Sequence, residues 1–145
     1  MAVIRPFKAL RPTKEKSQLV ASVPYDVVDR EEAKHAADGN PLSYLHITRS
    51  EIDLPDVKDV YSKEVYLKAK ENLNQIIEQA PLYVDEKPHF YLYRLIMDGR
   101  SQTGICATFS VDDYDNDVIL KHEKTRKVKE DDRTNHIITT ESQTG

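Results

Sequence analysis

The residues best able to do chemistry lie together between positions 121 and 133. This segment reads KHEKTRKVKEDDR and combines an imidazole, a hydroxyl, carboxylates and several cations. Lysine and arginine neutralise phosphate charge, and a histidine or a carboxylate can move a proton. The part from 121 to 129 is net basic in a chain of net charge −4, which favours one local anionic partner. The segment therefore predicts an anion or phosphate site.

The same segment has a second interpretation, as a solvated surface. Opposite charges four positions apart, such as Lys127 and Asp131, stabilise an exposed helix face without binding any ligand. Charge runs in proteins are usually surface of this kind. From the residue types alone, the solvated surface is the commoner outcome, and both interpretations stay open.

Other candidate sites match known patterns less well. An aspartate-rich stretch suggests a calcium loop, but counting from Asp113 the positions that need glycine and glutamate hold Val118 and Lys124. The histidines lack the spacing of a metal site, so we expect the protein alone to bind no metal. Tyr25 and Asp26 form a polar pair in a loop, where binding residues often lie, or else a turn that starts a helix.

Composition narrows the class of protein. The chain has 145 residues, 21 of them basic and 25 acidic, with a pI of about 5.7. This acidic balance counts against general nucleic-acid binding, which needs a basic excess. Cys106 is the only cysteine, so an internal disulfide is excluded. No apolar run approaches a signal peptide or the ~20 residues of a membrane span, and we expect a cytoplasmic protein.

Hydrophobic spacing predicts the helices that must position these residues. Asp29 and Glu32 have the spacing of a capping box, which predicts a helix over about 30–38 that ends at Gly39. Charge-rich residues 126–138 are predicted to be partly helical. A long helix over about 59–79 is predicted from one apolar face, made of Tyr61, Val65, Ala69, Leu73, Ile76 and Ile77.

Strands are predicted from β-prone runs. Residues 90–97 are apolar or aromatic at nearly every position, as in a strand buried on both faces. Asp98-Gly99 begins a turn into a partner strand over 103–111. Shorter strands are expected over 3–7, 42–48 and 118–120. The result is an α+β fold: a small mixed or antiparallel sheet with a central hairpin, packed by one long helix and one or two short ones. The length favours a single domain over 1–145.

A series of short motifs runs through nearly the whole chain. In order, they are VPYDVV at 23–28, NPLSYLHI at 40–47, EIDL at 51–54, YLYR at 91–94, TG at 103–104, SVDDY at 110–114, KHEKTR at 121–126 and KEDDR at 129–133. Together these motifs resemble the bacterial domain-of-unknown-function family 1015.

This resemblance implies a fold and a ligand class. The family is grouped with ParB and sulfiredoxin-like proteins, a superfamily that includes a free serine kinase using a nucleotide diphosphate. The resemblance thus implies binding of nucleotide phosphates, with ADP or ATP and Mg²⁺ as the expected cofactor. Family members are typically more than twice this long and carry a later Asp-Gly-His-His-Arg-Tyr motif that is absent here. We therefore expect the N-terminal half of a longer protein, with the C-terminal half as its partner and little activity alone.

The leading hypothesis is one half of a phosphate or nucleotide site, in a phosphotransferase resembling an amino-acid kinase. His122, Glu123 and Asp26 are its candidate catalytic residues. Its candidate phosphate ligands are Lys121, Lys124, Thr125, Arg126 and Arg133. The alternative is a non-catalytic binding or structural module, for which nucleic acid is the less favoured ligand and a homodimer would cover the exposed interface.

Overall fold

The computed structural model describes residues 1–121 and 124–143. The chain divides into two compact units: unit 1 comprises residues 1–11 and 84–124, and unit 2 comprises residues 12–83 and 125–145. Helices and small antiparallel sheets confirm the α+β class. The single domain over 1–145 stays a prediction.

The elements are short, apart from two helices and one hairpin. Within the described residues, the helices are α1 (Ser17–Val20), α2 (Arg30–Ala37), α3 (Leu45–Thr48), α4 (Lys63–Gln79), α5 (Val111–Asp115) and α6 (Lys127–Thr140), with 3₁₀ turns at Tyr25–Val27 and Ser50–Asp53. The strands are β1 (Ile4–Arg5), β2 (Leu10–Arg11), β3 (Tyr83–Val84), β4 (Tyr91–Met97), β5 (Arg100–Cys106) and β6 (Thr108–Phe109). No helix formed by the described residues is long and apolar enough to cross a bilayer.

Unit 2 is helical, and α4 is its central element. The predicted apolar stripe of α4 is largely confirmed, since Val65, Ala69, Leu73 and Ile76 are buried, although the helix begins at Lys63 rather than near 59. One core cluster joins this stripe to α1 and α3 through Val20, Leu42, Ile47, Leu73, Ile76 and Ala80. A second cluster joins α2 to the segment after it through Ala33, Ala37, Leu45 and Ile52.

The capping box of α2 is confirmed. The backbone N–H of Glu32 donates to the Asp29 carboxylate at 2.9 Å, and the backbone N–H of Asp29 donates to the Glu32 carboxylate at 2.9 Å. Each carboxylate thus satisfies a donor that the first turn of a helix leaves unpaired. This local chemistry explains why the start of α2 was predictable.

The strand predicted over 42–48 is wrong, because the segment forms a turn and the short helix α3. The side chain of Asn40 accepts a hydrogen bond from the backbone N–H of Leu42 at 3.2 Å, and the Ser43 hydroxyl accepts one from Leu45 at 3.4 Å. Short polar side chains that bond to nearby backbone offer the chain an alternative to a sheet ladder. The apolar residues of this run are buried from helical positions instead.

Unit 1 contains the predicted antiparallel hairpin, formed by β4 and β5 in a register that pairs Tyr91 with Cys106 and Met97 with Arg100. Asp98 and Gly99 both have positive φ, 50° and 76°, as the favoured two-residue turn requires. Two expectations are wrong. β4 is not buried on both faces, and among the described strands it pairs with β5 alone, so the hairpin is not the centre of a larger sheet.

Other strand predictions in unit 1 are also corrected. The strand over 3–7 shortens to β1, which pairs with β6. No strand forms over 118–120, because the backbone N–H groups of Val118 and Ile119 donate to the Asp113 carbonyl and close the end of α5. The aspartate-rich stretch thus forms a short helix that begins at the Ser110 hydroxyl.

Candidate functional site

Helix α6 buries its polar face and exposes apolar residues. Asp132 and His136 are buried, at 6% and 3% exposure, whereas Val128 and Ile138 are 59% and 69% exposed. An ordinary surface helix shows the reverse arrangement. Burying polar groups is unfavourable unless they are hydrogen-bonded. Such a face is therefore a candidate functional site rather than ordinary core.

The buried polar face of α6 lines a cleft within unit 2. The enclosed part of this cleft has a volume of about 30 Å³, room for a few atoms. Its remaining wall comes from the first 3₁₀ turn, from the junction of α3 with the second 3₁₀ turn, and from the start of α4. The charged or titratable side chains that argue for a binding site are Arg49, Glu51, Lys129, Asp132, Arg133 and His136.

Arg30 stabilises the loop over 51–57, which includes Glu51 of the cleft wall. From α2, its guanidinium donates to the backbone carbonyls of Glu51, Leu54 and Val57 at 3.0, 2.7 and 3.0 Å. A guanidinium has five N–H donors in a rigid fork, so it can serve several carbonyls at once. One side chain thus fixes a segment that has little regular structure of its own.

Asp132 is fully engaged by its neighbours. Its Oδ1 accepts a hydrogen bond from the Tyr66 hydroxyl at 3.0 Å, and its Oδ2 accepts from Nε and Nη2 of Arg133 at 3.1 and 2.9 Å. Burial, reinforced by the Asp132 charge, raises the pKa of Tyr66 to about 12, so this phenol remains a donor. The Arg133 guanidinium also lies 4.2 Å from the centre of the Tyr25 ring, a cation–π arrangement.

The cleft has more positive than negative charge. Arg49 Nε lies 3.1 Å from Glu51 Oε1, close enough for an ion pair, but it makes no hydrogen bond among the described residues. Lys129 lies 5.7 Å from the centre of the Tyr61 ring, and no ion pair involves it among the described residues. Three cations therefore face two carboxylates, which leaves an excess of one positive charge. Such an excess suits an anionic ligand.

His136 is the most buried titratable side chain of the cleft. Its Nε2 lies 3.0 Å from the Ile47 carbonyl oxygen, and its Nδ1 is buried with no hydrogen-bond partner among the described residues. Burial lowers the pKa of His136, although the bond to Ile47 opposes this effect. The imidazole is therefore neutral near pH 7.

The structure brings one of the predicted phosphate ligands, Arg133, into the cleft. Asp26 lies in an exposed turn next to Tyr25, which lines the cleft. Thr125 and Arg126 belong to unit 2 and are exposed just before α6.

The remaining predicted residues do not belong to the described part of unit 2. Lys121 and Lys124 belong to unit 1. Lys121 pairs with Asp117 at 2.8 Å and lies 4.6 Å from the Tyr114 ring centre. His122 and Glu123, the two catalytic candidates beside them, lie outside the described residues.

Sequence reasoning missed several residues of the cleft, namely Arg49, Glu51, Tyr66 and His136. The sequence contains one indication of this buried face. Positions 129, 132, 133, 136 and 140 of α6 follow helical spacing and are all polar. The solvated-surface interpretation is confirmed for the other side of the helix, where Lys127 and Asp131 form the predicted pair. The same helix thus has an exposed charged side and a buried polar side.

The residues of the cleft fit an anionic group better than they fit a metal ion. Glu51 and Asp132 are both paired with arginines, so neither carboxylate is available for Mg²⁺, which prefers carboxylate oxygens and water. Among the described residues, no group of three or more His, Cys, Asp or Glu side chains could hold a metal ion. The narrow cleft, with a volume of about 30 Å³, suits one small group.

Comparison with known proteins gives a match to a family and none to individual proteins. Residues 4–145 match a family model described as a protein of unknown function, DUF1015. No curated protein and no solved structure matches the chain.

Proposed function

Because the chain belongs to the DUF1015 family, whose description assigns no function, we propose its function from the cleft: it binds the phosphate group of a small molecule or nucleotide there. The observation that carries this proposal is the convergence of Arg49, Lys129 and Arg133 on a cleft with two carboxylates. The two ion pairs account for two of the cations. The charge of Lys129 remains for a ligand.

Phosphate chemistry fits these particular groups. A guanidinium offers paired donors to phosphate oxygens, and a lysine ammonium acts as a compact point charge. Both interactions strengthen where water is partly excluded, because the local dielectric constant is lower than in bulk water. Arg49 keeps one buried N–H without a hydrogen bond. A phosphate oxygen would satisfy it together with Lys129.

A fuller form of the proposal concerns catalysis. In it, the cleft is one half of the site of a phosphotransferase that uses ADP or ATP with Mg²⁺. This form, like the wider grouping with ParB and sulfiredoxin-like proteins, rests on the resemblance of the motifs. Since the carboxylates of the cleft are paired, no metal-assisted step is assigned to them.

The test is binding of inorganic phosphate, ADP and ATP, each with and without Mg²⁺, measured by thermal shift and calorimetry. Lys129→Gln should weaken binding about tenfold, the loss of one charge-assisted contact. Lys127→Gln is the matched control, because its side chain lies on the same helix and is exposed. Absence of binding, or equal weakening by both substitutions, would overturn the proposal.

A second candidate function, self-association, is favoured by the hairpin. Leu92, Ile96 and Met97 of β4 are 75%, 70% and 76% exposed, and β5 is the only partner of β4 among the described strands. A long apolar edge strand of this kind is a template for pairing with another chain. Leu92, Ile96 and Ile105 share one face of the hairpin and are 75%, 70% and 62% exposed, so this face presents a continuous apolar surface.

The proposed occupant is the hairpin of a second copy, since two such edges are alike and carry the same apolar face. Light scattering should then give a dimer mass at tens of micromolar protein. Ile96→Lys should restore the monomer, because a lysine on an edge strand opposes pairing. Arg94→Lys is the control on β4, because it keeps a positive charge that is already exposed on this strand. A monomeric parent protein, or a dimer that persists in Ile96→Lys, would refute self-association.

A further inference from the structure

The orientation of the His136 ring is fixed by one hydrogen bond. Its Nε2 lies 3.0 Å from the Ile47 carbonyl oxygen, and a carbonyl only accepts, so Nε2 carries the hydrogen. In a neutral ring, the other nitrogen, Nδ1, is then a bare acceptor. His136 lines the cleft and is 3% exposed. The structure thus presents a buried acceptor of defined tautomer.

Several donors of the cleft and of α6 are already used. The Tyr66 hydroxyl donates to Asp132, and the Ser50 hydroxyl donates to the Val65 carbonyl. The Thr140 hydroxyl donates to the backbone carbonyl of His136 itself, and Arg133 donates to Asp132. Among the described residues, Nδ1 has no hydrogen-bond partner. A buried polar atom without a partner in the protein is paired by a water molecule or by a ligand group that replaces this water.

We infer that the ligand of this cleft carries a hydroxyl beside its phosphate group, and that this hydroxyl donates a hydrogen bond to Nδ1 of His136. The inference rests on the proposed phosphate binding and names the class of ligand: a small phosphate ester with a free hydroxyl. Lys129 and Arg49 take the phosphate, and His136, which lines the same cleft, takes the hydroxyl.

This arrangement selects against ligands that lack the hydroxyl. A site built to hydrogen-bond a substrate hydroxyl leaves its own polar group unpaired when an analogue without that hydroxyl binds. The two ends of the ligand therefore have separate roles. The cations determine whether an anion binds, and His136 determines which anion binds best.

The first experiment compares two phosphate esters that differ in their hydroxyl groups, glycerol phosphate and propyl phosphate. Calorimetry with the whole chain should show glycerol phosphate binding roughly three- to tenfold more tightly, the range of one net hydrogen bond. Equal binding of the two esters would overturn the inference and leave phosphate binding intact. Failure of both esters and of inorganic phosphate to bind would instead refute the proposed function.

Two substitutions separate the roles of the ring nitrogens. In His136→Gln, the amide nitrogen can still donate to Ile47, but no atom replaces Nδ1, so the preference for glycerol phosphate should disappear. In His136→Asn, a polar atom remains near the Nδ1 position and the bond to Ile47 is lost, so part of the preference should remain. A preference that persists unchanged in His136→Gln would refute the role of Nδ1.

A measurement without substitution covers the case in which these variants fold poorly. Nitrogen NMR of the ¹⁵N-labelled imidazole reports the tautomer directly. The free protein should show protonated Nε2 and bare Nδ1, and glycerol phosphate should shift the Nδ1 resonance in the direction of a hydrogen-bonded acceptor. Propyl phosphate should leave this resonance unchanged. A free protein with protonated Nδ1, or an equal shift with both esters, would overturn the inference.

Discussion

The Tyr66 hydroxyl donates a hydrogen bond to Oδ1 of Asp132 at 3.0 Å and joins α4 to α6. Both residues are buried, at 5% and 6% exposure. The bond spans 66 positions of sequence, so it reports directly on the packing of α6 against the rest of unit 2. It also completes the hydrogen bonding of a carboxylate that would otherwise be costly to bury.

Tyr66→Phe should therefore lower the free energy of unfolding by about 1–3 kcal/mol, because the Asp132 oxygen loses a partner while it remains buried. Urea denaturation followed by circular dichroism measures this change. Tyr61→Phe is the matched control, since Tyr61 lies near the start of the same helix with an exposed side chain. An equal effect of both substitutions would contradict the assigned role of the bond.

Arg30→Lys tests the link between α2 and the loop that carries Glu51. A lysine ammonium cannot reach three carbonyls in the fork geometry of a guanidinium, so at least one buried carbonyl should lose its donor. We expect a loss of about 1–3 kcal/mol in the free energy of unfolding. Arg126→Lys, at an exposed position in the same unit, should change it by less than about 0.5 kcal/mol. Phosphate affinity should also fall in Arg30→Lys, because Arg49 and Glu51 would then be less ordered.

The His46–Asp53 pair should make stability depend on pH. His46 Nδ1 lies 2.9 Å from Asp53, and its Nε2 lies 3.2 Å from the Asn40 carbonyl, so both ring nitrogens donate. The hydrogen bond to Asp53 raises the pKa of His46 above its usual 6.5. Burial alone would raise the pKa of Asp53, but the bonds from His46 and Asn72 outweigh burial and lower it below 3.8.

The pKa shifts of His46 and Asp53 change the stability of the protein in different pH ranges. Because the pKa of His46 is higher in the folded state, its contribution is complete below about pH 6.5 and is lost as pH rises through the folded value. Because the pKa of Asp53 is lower in the folded state, its contribution is present above about pH 4 and is lost as pH falls. Urea unfolding from pH 3 to pH 9 should show greatest stability between these limits. The same profile in Asp53→Asn would contradict this assignment.

The parts of the fold that could be predicted are those determined by residues close together in the sequence. Asp29 and Glu32 determine the start of α2 through hydrogen bonds to backbone three positions away, and Asp98-Gly99 determines the hairpin turn by its positive φ values. The residues over 42–48 were assigned to a strand because their apolar content fits either state. Hydrogen bonds that the Asn40 and Ser43 side chains accept from the backbone favour the helical one. No apolar pattern in the sequence reports such bonds.

The candidate site was less predictable, because its residues come from distant parts of the chain. Arg49 and Glu51 precede Arg133 by about 80 positions, and only packing around α4 brings these groups to one cleft. Arg133 was identified from its charged neighbourhood. His136 was missed because a polar stripe on a charged helix resembles solvated surface, and burial alone distinguishes the two.

Because α6 buries a polar face instead of an apolar one, it should detach from the rest of unit 2 more easily than the other long helix. A helix docked through apolar residues is held by the hydrophobic effect, whereas the docked face of α6 depends on hydrogen bonds such as those of Asp132 and His136. Water can replace such bonds, so α6 should undock at a lower free energy than α4, and its amide hydrogens should exchange sooner. Exposed Val128 and Ile138 contribute nothing to holding it. A ligand that satisfies the buried polar face would then slow exchange along the whole helix, and the last helix of the chain would order as the cleft fills.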